Sequence, residues 1–323
     1  MIAGRAHGGD GERFLVGVDV GGTKVHVAAS IGREPVLDVV RPSEGWAAQP
    51  YAAAARWLTD LLDGVLPGWS SASGVAVGAH GADSPEQVAA LQRAVSAAAG
   101  RECTVVNDAE LVLPAAGVDT GVGLIVGTGS IASGHTPDRP TITAGGWGWL
   151  LGDQGSAPAL VLDAVRAILL RHDLGLPLDP LGEAFLEAYG VSSPPDLLVP
   201  AGTAGARGTW ARHAPLVFSA AAAGSQDAVR VLNSAAAALA DLVDRLARRG
   251  VDVRDVVVAG GVVRNQAGYV DRIAAAVRSL HPTAHVRRLD VEPVTGALVL
   301  AGRVAGGAAS VPAIVRPGEL LAS

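Results

Sequence analysis

Residues Phe14 to Ala29 read FLVGVDVGGTKVHVAA, and the fold class follows from how that stretch divides. An apolar run (Phe14, Leu15, Val16, Val18) delivers one acid, Asp19, into Gly21-Gly22-Thr23-Lys24, and a second apolar run, Val25 to Ala29, leads away. Two short apolar runs with a glycine turn between them predict a hairpin of buried strands. Glycine N–H groups at such a tip can approach an anion closely, Thr23 adds a hydroxyl, and Asp19 stands where a carboxylate holds a cation through water. The plan returns further along: Gly121-Val-Gly-Leu-Ile-Val126 runs into Gly127-Thr128-Gly129-Ser130, then Ile131-Ala-Ser-Gly134. Two such units predict a duplicated α/β fold clamping one polyphosphate from both sides.

Working outward, 323 residues give a length prior of two domains. Hydrophobic residues make up 49% of the chain and mean hydropathy is +0.34, but alanine and glycine dominate that figure. No apolar run reaches the roughly 18 residues a spanning helix needs. The start, MIAGRAHGGDGE, lacks the features of a signal peptide and predicts a disordered tail over 1–12. Cys103 is the sole cysteine, which excludes a disulfide framework or a cysteine-rich metal site built by one chain. A net charge of −6 without a basic block argues against nucleic acid or an anionic membrane as partner. The expected location is cytoplasmic.

The patterning predicts a βββαβαβα domain over 13–116, with strands at 36–40, 73–79 and 103–106 and helices at 49–65, 87–99 and 109–116. A second domain is expected over 117–323. It opens with the echo hairpin and a strand near 141–144, and carries helices at 158–171, 182–189, 210–223, 226–249, 264–280 and 293–306. Strands at 255–259 and 285–287 complete it, and a mobile connector is expected over 191–208.

Open α/β sheets place ligands at the carboxyl ends of their strands. Three ends stand out: Asp19, Asn107-Asp108 and the Gly127 turn. Asp19 is the candidate metal carboxylate and Asp108 the candidate general base; Asn107-Asp108 read alone is equally a helix cap. Lys24 is the single lysine among 25 basic residues, a compact charge beside the first turn. Ala144 to Ser156, AGGWGWLLGDQGS, holds five glycines, which suits a binding loop offering Asp153 and Gln154 to a polar ligand. Its tryptophans, Trp147 and Trp149, read first as core anchors. Gly260-Gly261-Val-Val-Arg264-Asn265 reads as a strand-to-helix turn against which an adenosine could lie. His80, His172, His213 and His281 lack ligand spacing and read as surface or loop residues.

Together these stretches resemble the actin-like ATPase and sugar-kinase superfamily: Asp19-Val-Gly-Gly-Thr23, Asn107-Asp108, Gly127-Thr-Gly-Ser130 and Val258-Ala-Gly-Gly261 stand for its motifs. Within it, Gly145-Gly-Trp-Gly-Trp-Leu-Leu-Gly-Asp153-Gln-Gly-Ser156 resembles the N-acetylglucosamine kinase branch of the BadF/BcrA-type ATPases. The resemblance runs from Phe14 to about Arg303, and it implies two ribonuclease-H-like domains with a mixed sheet each, hinged around a central cleft. It implies ATP with Mg²⁺ and transfer of the γ-phosphate to the 6-hydroxyl of N-acetylglucosamine, with Asp108 as base and a homodimer as assembly. Gly21, Gly22, Thr23, Lys24, Gly127, Thr128, Gly129, Ser130, Gly260, Gly261 and Asn265 then face the nucleotide. Asn107, Asp108, Thr128, Gly146, Trp147 and Asp153 face the sugar.

Two positions depart from the family. Val20 replaces a glycine, and Arg41-Pro-Ser-Glu44-Gly-Trp46 stands where relatives often carry a sugar-binding asparagine. Glu44 could meet a free amine, so glucosamine is an alternative substrate. An iron–sulfur ATPase activator needs cysteines this chain lacks, and a ROK-type protein normally brings a cysteine-rich zinc motif. A non-catalytic sugar sensor of the same fold is a further alternative, against which the presence of Asp108 speaks.

Overall fold

The computed structural model describes residues 13–136, 139–198 and 210–306. The expected tail at 1–12 and the 199–208 part of the expected connector lie outside the described residues. The chain divides into two compact units. Of the described residues, one unit takes those up to Gly123, those within Gly134–Ile142 and those from Leu289 to Gly306; the other takes those within Leu124–Ser133 and Thr143–Arg288.

In the first unit, β1 (Phe14–Val20) pairs antiparallel with β2 (Lys24–Ile31), in register from Phe14–Ile31 to Val20–Val25. The expected hairpin is formed, and the Gly21 N–H closes its tip on the Lys24 carbonyl at 2.9 Å. β3 (Glu34–Pro42) adds antiparallel to β2. On the other side β4 (Gly74–Ala79) and β5 (Thr104–Val106) add parallel, giving the order β3-β2-β1-β4-β5.

Alternation along β1 sends its side chains to opposite faces. Val16, Val18 and Val20 join a core with Leu58 and Leu62 of α1 (Tyr51–Val65) and Leu91 and Val95 of α2 (Pro85–Ala99). Ser84 caps α2: its hydroxyl accepts from Gln87 N, and the Gln87 amide oxygen accepts from Ser84 N at 3.1 Å. Leu15, with Ala28 and Ala76, joins a second core with Val294, Leu298 and Ala301 of the last helix, α10 (Val294–Val304).

The expectation that everything beyond 116 belongs to the second domain is not how the units divide, and three glycines give the reason. A Cβ on Gly17 would stand 2.8 Å from Leu298 N, and one on Gly74 would overlap the Ala301 carbonyl. On the helix itself, a Cβ on Gly296 would overlap the carbonyl of Leu111, the residue before α3 (Val112–Ala115). Helix backbone thus lies against strand and turn backbone, a contact only glycine permits at this spacing.

A second sheet is made of β6 (Val122–Val126), β7 (Ser130–Thr136), β8 (Arg139–Gly145), β9 (Asp255–Ala259) and β10 (His285–Arg288). Their order is β10-β9-β6-β7-β8, with β9 and β10 parallel. Read from the far edge, this is third, second, first, fourth, fifth strand, the same succession as in the first sheet. The repeated strand-turn-strand plan in the sequence is therefore a repeated topology.

Helices α4 (Ala157–Asp173), α5 (Pro180–Tyr189), α6 (Ala214–Ala222) and α7 (Gln226–Ala247) lie between β8 and β9 in the chain. The helical spacing expected in α7 is realised, burying Leu232, Ala236, Leu239, Val243 and Leu246. The single helix expected from 264 to 280 is instead α8 (Gly261–Asn265) and α9 (Ala267–Leu280), parted by the non-helical backbone of Gln266. Among the described residues no helix is long and apolar enough to cross a membrane.

The glycine contacts of α10 are open to a direct test. Gly74→Ala should destabilise the protein by about 1–3 kcal/mol, the usual cost of overpacking. Gly64→Ala, on the exposed side of α1 with nothing within 4 Å of the added carbon, should raise stability by roughly 0.5 kcal/mol. Chemical denaturation of both variants checks the pair, and equal effects would remove the backbone-contact explanation.

Candidate functional site

Because β1, β4 and β5 run parallel, the loops leaving their carboxyl ends gather at one end of the first sheet. Gly21 and Gly22 show neither a left-handed φ nor a close neighbour: a Cβ on Gly22 would find the His80 ring at 3.5 Å, an ordinary contact. The fold does not demand glycine at these two positions. Thr23 is exposed and Lys24 half-buried beside them. The Ser43 N–H donates to the Thr23 carbonyl at 3.2 Å, so the loop carrying Glu44 starts from the same turn. Glu44 itself is exposed.

Asn107 is buried and fully engaged. Its amide donates to the Ala82 carbonyl and to Asp83 Oδ1, each at 3.0 Å, and its oxygen accepts from Ala109 N at 3.0 Å. It thereby caps the 3₁₀ turn Asp108–Leu111 in a reciprocal box with Glu110, whose carboxylate accepts from Asn107 N at 3.0 Å. A sugar-facing role for Asn107 does not match these contacts; it is a bracket for the two loops. With the cap supplied by its neighbour, Asp108 keeps an oxygen for other work. Oδ1 accepts from Ala109 N at 3.1 Å, and Oδ2 faces His80 Nδ1 at 3.6 Å.

Four further side chains shape this end of the sheet; the sequence reading marked none of them as a site residue and took His80 for a surface or loop position. His80, half-exposed, leads off the loop after β4. Trp46 donates from Nε1 to the His80 carbonyl, and Trp57 donates from Nε1 to the Glu44 carbonyl, each at 3.1 Å. The two indoles meet edge to face, 5.3 Å between centroids. Asp83 lies close enough to Asp108 and His80 to feel both charges. Burial pushes its carboxyl above the ordinary value of 3.8; His80 opposes that rise, Asp108 adds to it and the Asn107 hydrogen bond opposes it. The only sequence signal for this group was its place in a loop at a strand's carboxyl end.

The second unit has its own assembly. Gly127 N donates to the Gly129 carbonyl at 2.9 Å, closing the tip of the second hairpin. A Cβ on Gly127 would lie 3.7 Å from Gly261 N, and one on Gly260, at φ 110°, would overlap the Val126 backbone. The turns expected to meet phosphates and adenosine are thus neighbours, with Gly261 and Asn265 at the two ends of α8. Thr128 is half-buried on the tip. Ser130 is buried: its hydroxyl donates to the Gln154 carbonyl at 2.8 Å and its carbonyl accepts from Gly146 N at 2.9 Å. It ties the glycine-tryptophan loop to the hairpin, where a phosphate contact was expected.

Asp153 is 4% exposed and holds φ at +59°, the one non-glycine residue in the left-handed region among those described. Its Oδ1 accepts from Ser130 N at 3.3 Å, and a Cβ on Gly129 would come within 3.1 Å of Oδ2. Ser156 caps α4. The expected core anchoring by the tryptophans fails: Trp147 is 72% and Trp149 40% exposed, and Trp149 meets only the edge of Trp210 among the ring contacts described. Gly145, Gly146 and Gly148, all at positive φ, carry this part of the loop outward.

Comparison with known proteins bears on these two assemblies. The family model described as the BadF/BadG/BcrA/BcrD ATPase family matches residues 16–301. An N-acetylmuramic acid/N-acetylglucosamine kinase of Clostridium acetobutylicum is 30% identical over 169 residues, which is 50% of this chain and 55% of that protein. An N-acetyl-D-glucosamine kinase of Dictyostelium discoideum is 30% identical over 188 residues, 56% of this chain and 59% of that protein. The chain thus spans little more than half the length of these curated relatives. Among solved structures, a candidate N-acetylglucosamine kinase from Chromobacterium violaceum superposes with a TM-score of 0.67 at 24% identity, covering 90% of this chain and 99% of that one. A ROK family glucokinase from Streptomyces griseus, in complex with glucose and AMPPNP, gives 0.53 at 18% identity over 90% and 99% of the two chains. At these identities the likeness establishes the sugar-kinase fold.

The raised Asp83 carboxyl has a defined signature. A group whose pKa is higher folded than unfolded stabilises the protein in its protonated form below 3.8, and that contribution is lost as pH rises through the folded value. Asp83→Asn mimics the protonated group and keeps an acceptor for Asn107. The melting temperature of this variant relative to the native chain should therefore increase between pH 3 and pH 7, and a decrease would show the charge at Asp83 to be stabilising.

Proposed function

We infer that this chain, which belongs to the BadF/BadG/BcrA/BcrD ATPase family, is an ATP-dependent amino-sugar kinase that phosphorylates the 6-hydroxyl of N-acetylglucosamine. The observation that carries this is the arrangement at Asn107-Asp108: the amide performs the cap, and a carboxylate oxygen is left beside a glycine turn that the fold does not otherwise require. The names of the curated relatives supply the substrate class. A cytoplasmic homodimer belongs to the same proposal on the strength of the family resemblance.

In the proposed reaction Asp108 Oδ2 accepts the proton of the sugar hydroxyl. The alkoxide oxygen bonds to the γ-phosphorus, and the bond from that phosphorus to the bridging oxygen breaks, leaving ADP. The N–H groups of Gly22 and Gly129, with Thr23 and Thr128, are the donors assigned to the phosphates; Gly21 and Gly127, whose own N–H groups close the two tips, shape the turns, and Lys24 is the neutralising charge. Gly260, Gly261 and Asn265 are assigned to the adenosine; Glu44, Gly146, Trp147 and Asp153 to the sugar. Asp19, half-buried at the end of β1, fits a Mg²⁺ held through water, since Mg²⁺ takes one or two carboxylates and relies otherwise on phosphates and water. When bound, that ion would neutralise charge on the transferring phosphoryl group.

Glucosamine is the second reading, favoured by Glu44, an exposed acid on a loop that Trp57 and Trp46 pin down. ADP release measured with glucose, glucosamine, N-acetylglucosamine and N-acetylmannosamine decides between them. N-acetylglucosamine is expected to give the highest kcat/KM, and release independent of every sugar would defeat the kinase assignment. Asp108→Asn should lower turnover by about 10² to 10⁴ while sugar and nucleotide still bind in calorimetry. Asp153→Ala should raise the KM for sugar far more than that for ATP, and equal losses would make Asp153 structural.

A further inference from the structure

His80 is bracketed by two functional elements of the first unit. Its Nδ1 lies 3.6 Å from Asp108 Oδ2. Its other nitrogen, Nε2, is 3.5 Å from where a side chain on Gly22 would begin, so it faces the first glycine turn. Its backbone is fixed on both sides: its N–H donates to the Val20 carbonyl at 2.9 Å, and its carbonyl accepts from Trp46 Nε1 at 3.1 Å.

The two oxygens of Asp108 are unlike. Oδ1 accepts from Ala109 N at 3.1 Å and is turned toward its own helical turn. Oδ2 is the oxygen on the His80 side, hence the one placed to take a proton. We propose that His80 is a positioning residue for the phosphoryl transfer, holding Asp108 Oδ2 through Nδ1 so that its lone pair is directed at the sugar hydroxyl. The proposal rests on the kinase reading above and deepens it. In the step concerned, the hydroxyl proton passes to Oδ2, the sugar oxygen bonds to the γ-phosphorus, and ADP leaves with the electrons of the broken P–O bond. His80 neither gains nor loses atoms; its imidazole restricts rotation of the carboxylate. The 3.6 Å separation is long for a hydrogen bond, as contacts of catalytic groups are before a substrate closes them.

The two nitrogens allow the role to be dissected with variants. Asn in place of His80 puts an amide near the Nδ1 position, and Gln puts one near Nε2. His80→Ala should lower kcat roughly ten- to a hundredfold, the size of one charge-assisted hydrogen bond, with KM for sugar and nucleotide within about twofold. His80→Asn should recover most of that loss and His80→Gln little of it. Unchanged kcat in His80→Ala, or recovery by Gln with a raised nucleotide KM, would overturn the proposal, the second by moving the role to the glycine turn. A readout free of turnover accompanies these: the ¹⁵N resonance of His80 Nδ1 should move on Asp108→Asn in a protein whose melting is otherwise native. If the native chain releases no ADP with any sugar, the kinase reading fails on its own. The resonance then still decides the contact, and an unmoved signal overturns it.

Discussion

With the Asn107 amide engaged to Ala82, Asp83 and Ala109, the loop after β4 and the turn after β5 become one rigid piece. Much of the chemistry of the first unit depends on that constraint. A buried amide left unpaired costs roughly 1–3 kcal/mol, so the three contacts stand or fall together. They fix where Asp83 sits, they relieve Asp108 of the capping duty its position would otherwise invite, and they set the spacing to His80. Two carboxylates near one another at the end of a sheet are an unfavourable arrangement. Here it is tolerated because one acid is pushed toward its neutral form by burial while a histidine stands beside both.

The second unit reaches a comparable result by different means. Its buried acid, Asp153, has a strained backbone, and its carboxylate rests against Gly129 and the Ser130 N–H. Ser130 then reaches in two directions along the loop, to Gln154 and to Gly146. Both units thus use an inward-turned polar side chain, Asn107 in one and Ser130 in the other, to join loops.

The strand-turn-strand plan could be read from the sequence because alternation and glycine tips are local signals, and both hairpins lie where Phe14 to Ala29 and Gly121 to Gly134 placed them. The stripe of α7 was legible for the same reason. Contacts between distant segments were not. Gly17 and Gly74 look like weaknesses in strands until Leu298 and Ala301 are found against them. His80 has no ligand spacing because its partner Asp108 arrives on another strand. Trp147 and Trp149 suggested core by residue type, and only the positive φ angles of the intervening glycines show why that part of the loop points away. Asn107 and Ser130 were marked by motif, yet a motif records position and not which way a side chain turns, and both side chains are engaged with neighbouring loops.

The seating of α10 on β1 and β4 also bears on how the protein is made. On the ribosome, all five strands of the first sheet are complete by Val106, but the face bearing Leu15, Ala28 and Ala76 has no cover until Val304 has emerged. At roughly 5–20 residues per second that interval is on the order of ten to forty seconds. Over that time a nascent chain holds an apolar sheet face open to water while the second sheet is being synthesised. The first sheet cannot finish folding ahead of the second; its closure waits for α10 to be translated.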